Sequence, residues 1–399
     1  VSTLLRTPAP TRGPLTGWLA VVSVMLAIFS IVTTEILPIG LLTSIGADFT
    51  ISDGAAGLMM TVPGLVAAVT APLATVATGR IDRRIMLCLF IFLLVLANIL
   101  MAVAPEYRVV LASRVLVGVT IGGFWSLAAG IAPRLVPQAS AGRATAVIFS
   151  AVPLGSVLGV PAGTLLGEIA GWRTTFVVVG AFTAVVLGLL MAFLPPLPAG
   201  TVTRAAVLRE ALRGIDVRFA LLTTFLVVLA HFAAYTYVTP FLEQVPRLGP
   251  GTITVLLLIY GTAGILGNFL GGAAIVRRPH AAFGCAAAMS AGAMLLLPVF
   301  GRFDAGVIVL LIIWGMGYGA IPVSTQTWFA NAVPHAPEAA SVLFTATFQA
   351  TFSLGALTGG LVVDRGSPTT VMFVGGFVAA LTIAAVLAHA ARTPIRPDR

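Results

Sequence analysis

The sequence contains no lysine; all 22 of its basic residues are arginine. It has two cysteines, 13 acidic residues and a charged fraction of 9%. Soluble globular chains carry about 25% charge, so this one lacks the surface that such a protein turns to water. Without lysine there is no phosphate-cradling Gly-Lys loop and no Schiff-base chemistry. The chain therefore drives no work by hydrolysing ATP itself. Cys88 and Cys285 lie in separate apolar runs and set no disulfide framework. A soluble enzyme, a secreted disulfide scaffold and a disordered regulator are excluded together.

Long apolar runs are what the chain does have. Apolar residues make up 59% of it, with a mean hydropathy of +1.08. Its 42 glycines and 25 prolines are scattered through those runs, as membrane helices tolerate. A spanning helix needs about 20 apolar residues. The sequence predicts twelve, over 17–42, 55–78, 85–104, 109–135, 144–167, 174–194, 219–242, 252–276, 281–301, 305–330, 339–363 and 369–391. The connectors are too short for a soluble domain. The first run follows an arm with Arg6 and Arg12 and ends in no small-residue cleavage site, so it reads as a retained span.

Arginine placement sets the orientation. Sixteen arginines fall on the side of the two termini; five, Arg108, Arg173, Arg247, Arg302 and Arg365, fall opposite. The termini are expected in the cytoplasm. The net charge of +9 is then a topology signal and calls for no nucleic-acid partner. The longest connector, 195–218, divides the chain into a six-helix bundle over 17–194 and another over 219–391, with an arm at 1–16 and a tail at 392–399. An internal repeat supports the division. Thr174, Thr175, Val179, Gly180 and Phe182 match Thr369, Thr370, Val374, Gly375 and Phe377 in order and spacing. Upstream, Gly159, Gly163 and Glu168 match Gly355, Gly359 and Asp364. The expected fold is all-α and integral to the membrane, with two halves related by a pseudo-two-fold axis.

Glu35, in Thr33-Thr34-Glu35-Ile36-Leu37-Pro38, is the only carboxylate well inside a predicted span. Placing a charge there costs about 2.5–3.5 kcal/mol, and such groups face a cavity or a partner. Arg114 is the matching cation. At about 1.5 Å per residue, the two lie at similar depths on helices one and four. An ion pair between them is expected to hold Glu35 ionised and to break on protonation. Gly155, Gly159 and Gly163 with Pro161 put small residues on one face of helix five, letting another helix approach. The loop Gly79, Arg80, Asp82, Arg83 and Arg84 reads either as an anchor on the arginine-rich side or as a charge lock for that face.

These segments resemble the major facilitator superfamily, and within it the twelve-helix drug/proton antiporter branch that includes bacterial drug and sugar efflux permeases. Thr34–Leu42 resembles that branch's first-helix signature, and Gly79–Arg84 the loop between helices two and three. Arg114 with Gly118 resembles the fourth-helix motif, Gly155–Gly163 the antiporter motif, and Gly171–Phe176 a further common segment. The loop lacks the family's second glycine, and Val160 separates Gly159 from Pro161. The resemblance implies that Glu35 is the proton-linked acid, with Arg114 taking part in coupling. Asp82 and its arginines would form the cytoplasmic gate, and the helix-five glycines would shape the interface between halves. Helices one, four, seven and ten would line the pathway, making Phe124, Trp125, His231, Tyr235, Tyr237, Trp314, Tyr318, Gln326 and Trp328 candidate cavity residues.

The expected activity is proton-coupled export of a small drug-like molecule or sugar by alternating access. No cofactor or metal is expected, and a monomer in contact with lipid suffices. Uptake by symport or facilitated diffusion on the same fold is the alternative. A polytopic lipid-modifying enzyme would show clustered aspartates or His/Glu metal motifs, which the spans lack. Abundant arginine and alanine without lysine suggest a high-GC bacterial gene and a bacterial plasma membrane.

Overall fold

The structure, a computed structural model, describes residues 14–77, 81–128, 131–198, 210–333 and 337–392. Among these residues twelve helices are long and apolar enough to cross a bilayer. They are α1 (Pro14–Gly40), α2 (Leu58–Ala77), α3 (Arg83–Ala102), α4 (Tyr107–Ala128), α5 (Ala151–Ala170) and α6 (Trp172–Phe193), followed by α7 (Ile215–Tyr235), α8 (Pro250–Arg277), α9 (Pro279–Phe300), α10 (Asp304–Ala332), α11 (Pro337–Arg365) and α12 (Pro368–Arg392). Helices end where local chemistry dictates. Asp82 caps α3 by accepting the Arg84 N–H at 2.7 Å. Pro250 and Pro279 open α8 and α9, where a missing N–H costs nothing. Gly171, at φ +81°, turns the chain between α5 and α6.

Four predicted spans are broken among the described residues, the second span at Gly57, between Asp53–Ala56 and α2. Helix α1 stops at Gly40 and resumes over Leu42–Asp48; α7 stops at Tyr235 and resumes over Val238–Gln244. The breaks in α1 and α7 each lie beside a proline, Pro38 or Pro240, which withholds an N–H from the carbonyl four residues earlier. Span five divides at Ser150 into Ala141–Phe149 and α5.

The two halves repeat one pattern of neighbours. In the first, α1 packs on α5 and α6, α2 on α4, and α3 on α4 and α6; in the second, α7 packs on α11 and α12, α8 on α10, and α9 on α10 and α12. The glycines repeat with them. Gly118 and Gly122 of α4 lie against Pro63 and Ala67 of α2, as Gly315 and Gly319 of α10 lie against Tyr260 and Gly264 of α8. Between halves, α2 packs on α11 and α5 on α8, contacts that the pseudo-two-fold axis exchanges.

The halves close at one face. Helices α1 and α12 put the first and last described residues on the same face, the termini face; the opposite one is the far face. On the far side Thr239 Oγ1 donates to the Ile39 carbonyl at 3.0 Å, and Thr43 Oγ1 donates to Glu243 at 3.1 Å. Asp364 accepts from Ser52 Oγ at 2.8 Å and from the Gly54 N–H at 2.9 Å. One hydrophobic cluster there joins Leu37, Ile39, Met59 and Met60 of the first half to Tyr237, Val238 and Phe241 of the second. Toward the termini face the described apolar residues fall into separate clusters, one around Val24, Ile121 and Leu190 and another around Val217 and Phe329.

Candidate functional site

Proline builds the centre of the first half. Pro38 and Pro63 remove the N–H groups that would satisfy the Thr34 and Met59 carbonyls. Arg114, 1% exposed, supplies both: Nη1 donates to Thr34 O at 2.9 Å and Nε to Met59 O at 2.8 Å. Its Nη2 donates to the Glu35 carbonyl at 2.8 Å. Arginine suits this task because its planar fork carries five donors. The expected ion pair between Arg114 and the Glu35 carboxylate is not what forms. Arg114 takes the main-chain oxygen of Glu35, because the proline-freed carbonyls compete for the guanidinium and surround it on two helices. The ion pair found among the described residues, Arg173 with Asp48, is at the far face and half-exposed.

The Glu35 side chain turns toward the second half, where its Oε1 accepts from Gln349 Nε2 of α11 at 3.0 Å. Glu35 is 8% exposed and Gln349 7%. Gln349 was absent from the predicted site because the pathway was expected on helices one, four, seven and ten. The available signal was an amide inside an apolar span, Phe348-Gln349-Ala350-Thr351. The Gln349 carbonyl and the Ser353 hydroxyl crowd Gly64 of α2, next to Pro63.

Four expected aromatic residues come together. His231 Nδ1 accepts from Trp314 Nε1 at 3.2 Å, and the imidazole stacks on Tyr318 and on Tyr235. The structure adds Tyr260 of α8, stacked on Tyr235 with centroids 4.8 Å apart and its buried hydroxyl unpartnered among the described residues. Phe232 extends the cluster to Phe352 and Phe348, which flank Gln349. Because Gln349 bonds to Glu35 and lies on α11 among Phe348 and Phe352, the acid of one half and the aromatic group of the other adjoin.

Other expected residues lie elsewhere. Tyr237 is fully buried at the far-face closure, donating to the Ala356 carbonyl at 2.9 Å with its hydroxyl against Gly57 and Gly360. Phe124 is buried in the core of the first half. Trp125 is half-buried against Phe149. Gln326 is exposed, and Trp328 packs on Phe219 and Phe283.

The helix-five glycines require a correction. Gly155, Gly159 and Gly163 face Val32, Ile36 and Leu37 of α1, within their own half. Their missing side chains let α1 seat closely on α5. At the crossing between halves the small residue is Gly261 of α8, packed on Val157. Pro161 is buried on α5 and withholds its N–H from the Val157 carbonyl at that crossing.

The charged loop bonds within the first half. Asp82 also accepts the Leu197 N–H at 3.0 Å, Arg83 N donates to Leu197 O at 2.9 Å, and the Arg84 guanidinium donates to the Met191 carbonyl. Arg134 joins them through the Pro198 carbonyl at 2.8 Å; burial, and then Arg83, hold its pKa below the usual arginine range. Gly79 and Arg80 lie outside the described residues.

Comparisons with known proteins agree with this geometry. The sequence model of the Major Facilitator Superfamily matches residues 23–349. A protein of Pseudomonas aeruginosa named transcription regulatory protein OpdE is 32% identical over 379 residues, covering 93% of each chain. The fold is similar to a bacterial homologue of the human lysosomal transporter Spinster, solved in an inward-facing and unoccupied conformation. That match has a TM-score of 0.75 and 16% identity, over 95% of this chain and 96% of that one. It is also similar to the human organic anion transporter MFSD10, with a TM-score of 0.69 and 17% identity, over 94% and 100% of the two chains. With twelve spanning helices in two matching halves and a family match over most of its length, the chain is a multi-pass membrane protein belonging to the major facilitator superfamily of transporters.

Proposed function

We propose that the chain is a proton-coupled exporter of a small drug-like molecule or sugar, working by alternating access in a bacterial plasma membrane. One observation carries the reading: the buried Glu35 carboxylate reaches out of its own half to a hydrogen-bond donor on the other, beside the aromatic cluster. A group so placed changes the fit between halves when it gains or loses a proton. The arginine bias puts the termini face in the cytoplasm, so the far face closes the periplasmic side. In this cycle Glu35 takes a proton from outside and releases it to the cytoplasm, while substrate enters from the cytoplasm and leaves outside. The bundles 17–194 and 219–391 are the moving bodies, and one chain completes the pathway.

The test uses purified protein in sealed liposomes enclosing a pH-sensitive dye, with an imposed proton gradient and a panel of ethidium, chloramphenicol and pentoses. Substrate-triggered proton flux, absent in Glu35→Gln, is the expected result. Substrate flux without proton movement, unchanged by Glu35→Gln, would make the protein a facilitator and Glu35 a structural residue.

A further inference from the structure

The contacts around Glu35 close into a ring that spans both halves. Its carboxylate accepts from Gln349 on α11, and its main-chain carbonyl accepts from Arg114 on α4. Arg114 also holds the Met59 carbonyl on α2. One turn on, α2 meets α11 at Gly64, where an added methyl would lie 2.6 Å from the Gln349 carbonyl. The main chains of α1 and α2 are therefore pinned to one guanidinium, and Gln349 sits where both meet the second half. Three of these links are internal to the first half or are close packing. The amide–carboxylate bond is the one whose strength depends on a proton, because bonds to an ionised acceptor are roughly twice as strong as neutral ones.

We infer that Gln349 is a positioning residue that holds the empty, deprotonated transporter closed at the far face and so prevents proton leak. This rests on the proton-coupled reading above. An antiporter leaks when its empty carrier returns outward without substrate: Glu35 would take a proton outside, release it inside, and repeat. With Glu35 ionised, its bond to Gln349 ties α1 to α11 across the halves and opposes that return. With the far face open the bond is not made; Glu35 takes its proton there, the inward swing is free, and the bond to Gln349 reaches full strength only after the proton is released inside. Substrate entering from the termini face, beside Phe348 and Phe352, displaces the Gln349 amide from Glu35 and releases the halves to move outward. Gln349 need not touch the transported proton; it sets which Glu35 state can cross unaccompanied.

The experiment measures proton entry into dye-loaded liposomes under an imposed gradient with no substrate added. Gln349→Met keeps the side-chain length but removes the donor, and Gln349→Ala serves as a second variant; both are checked for monodisperse elution. Substrate-free proton entry about tenfold above wild type is expected, the scale of losing one charge-assisted hydrogen bond. It should return to the wild-type rate in Glu35→Gln/Gln349→Met. Leak that persists in the double variant bypasses Glu35 and overturns the inference. If both Gln349 variants stay as tight as wild type while the gradient still drives ethidium, chloramphenicol or pentose transport, the inference falls and the proton-coupled reading stands. If neither leak nor gradient-driven transport of any of these compounds occurs, both fall together. A purely structural role would lower stability or turnover without a leak that depends on Glu35.

Discussion

Pro38 and Arg114 are a matched pair: the proline withholds the N–H owed to the Thr34 carbonyl, and the arginine supplies one in its place at 2.9 Å. The same exchange operates at Pro63 and the Met59 carbonyl. Two helices can thus bend around the acid without leaving bare carbonyls in the membrane, where each unsatisfied group is costly. Arg114 is buried because its donors replace missing backbone donors.

Removing Arg114 should therefore destabilise the fold through the carbonyls it leaves behind. Arg114→Ala is expected to cost about 2–5 kcal/mol, with each orphaned carbonyl contributing about 1–3 kcal/mol. Arg114→Lys should recover little of this, since one ammonium cannot reproduce the guanidinium fork. Pro38→Ala restores the N–H for Thr34, so the double variant with Arg114→Ala should lose less than the sum of the two single changes, by about 1 kcal/mol. Thermal midpoints of the four proteins in detergent close the cycle. Simple additivity would show that Arg114 does not compensate for Pro38.

Much of this centre is legible in the sequence, and what is missing has a physical cause. Apolar run length reports membrane spans directly, so all twelve appear. Glu35 and Arg114 stand out because charge in such runs is expensive. Their partners do not stand out. Equal depth on two helices suggests an ion pair, yet a guanidinium can bond to any oxygen, and the prolines leave carbonyls free that no residue code displays. Gln349 is uncharged and lies on α11, outside the helices expected to line the pathway. The glycines of α5 were readable as a close-approach face, but spacing names no partner, and that partner is α1. Tyr237 looked like a cavity aromatic because its helix lines the pathway; the break beside Pro240 swings it to the far-face closure instead.

That closure gives a second prediction. A methyl group at Gly57 would overlap the Tyr237 hydroxyl, which also packs on Gly360 and donates to the Ala356 carbonyl. Gly57→Ala should therefore wedge the far face open. Spin labels on cysteines replacing Glu106 and Arg302, with Cys88 and Cys285 changed to alanine, place one probe on each half at exposed positions. A longer distance is expected in Gly57→Ala. Tyr237→Phe removes the colliding oxygen, so the double variant should return toward the wild-type distance. An unchanged distance in Gly57→Ala would show that the seat is not tight.

Arg173 and Asp48 should matter little by comparison. Both side chains are about 40% exposed, and solvent screens such pairs to about 0–1 kcal/mol. Arg173 also lies over the Trp172 ring, 4.2 Å from its centroid, and donates to the Ala104 carbonyl at 3.1 Å. Asp48→Asn should thus change the thermal midpoint less than Arg173→Ala, which loses the ring and carbonyl contacts as well. Equal losses would give the ion pair more weight than its exposure allows.

Glu243 makes the far-face closure respond to pH. It lies outside the spanning helices, lining with Glu168, Thr43 and Thr239 a cleft of about 70 Å³. Burial holds its pKa above the usual carboxylate value of 4.5, and Asp53 adds to the rise, while the hydrogen bond from Thr43 opposes both. Opening the far face would hydrate the group and return it toward that ordinary value. The closed form then binds the proton more tightly than the open one, so closure is favoured as pH falls and weakens as pH rises through the elevated value. In a Glu35→Gln background, where the buried acid bonded across the halves no longer titrates, the same spin-label pair should show a larger close-distance population at pH 5 than at pH 8. Glu243→Gln, neutral at both, should reduce the difference between them. A pH response of unchanged size in Glu243→Gln would assign the effect to another group at that face, with Asp53, whose pKa burial also raises, the next to replace.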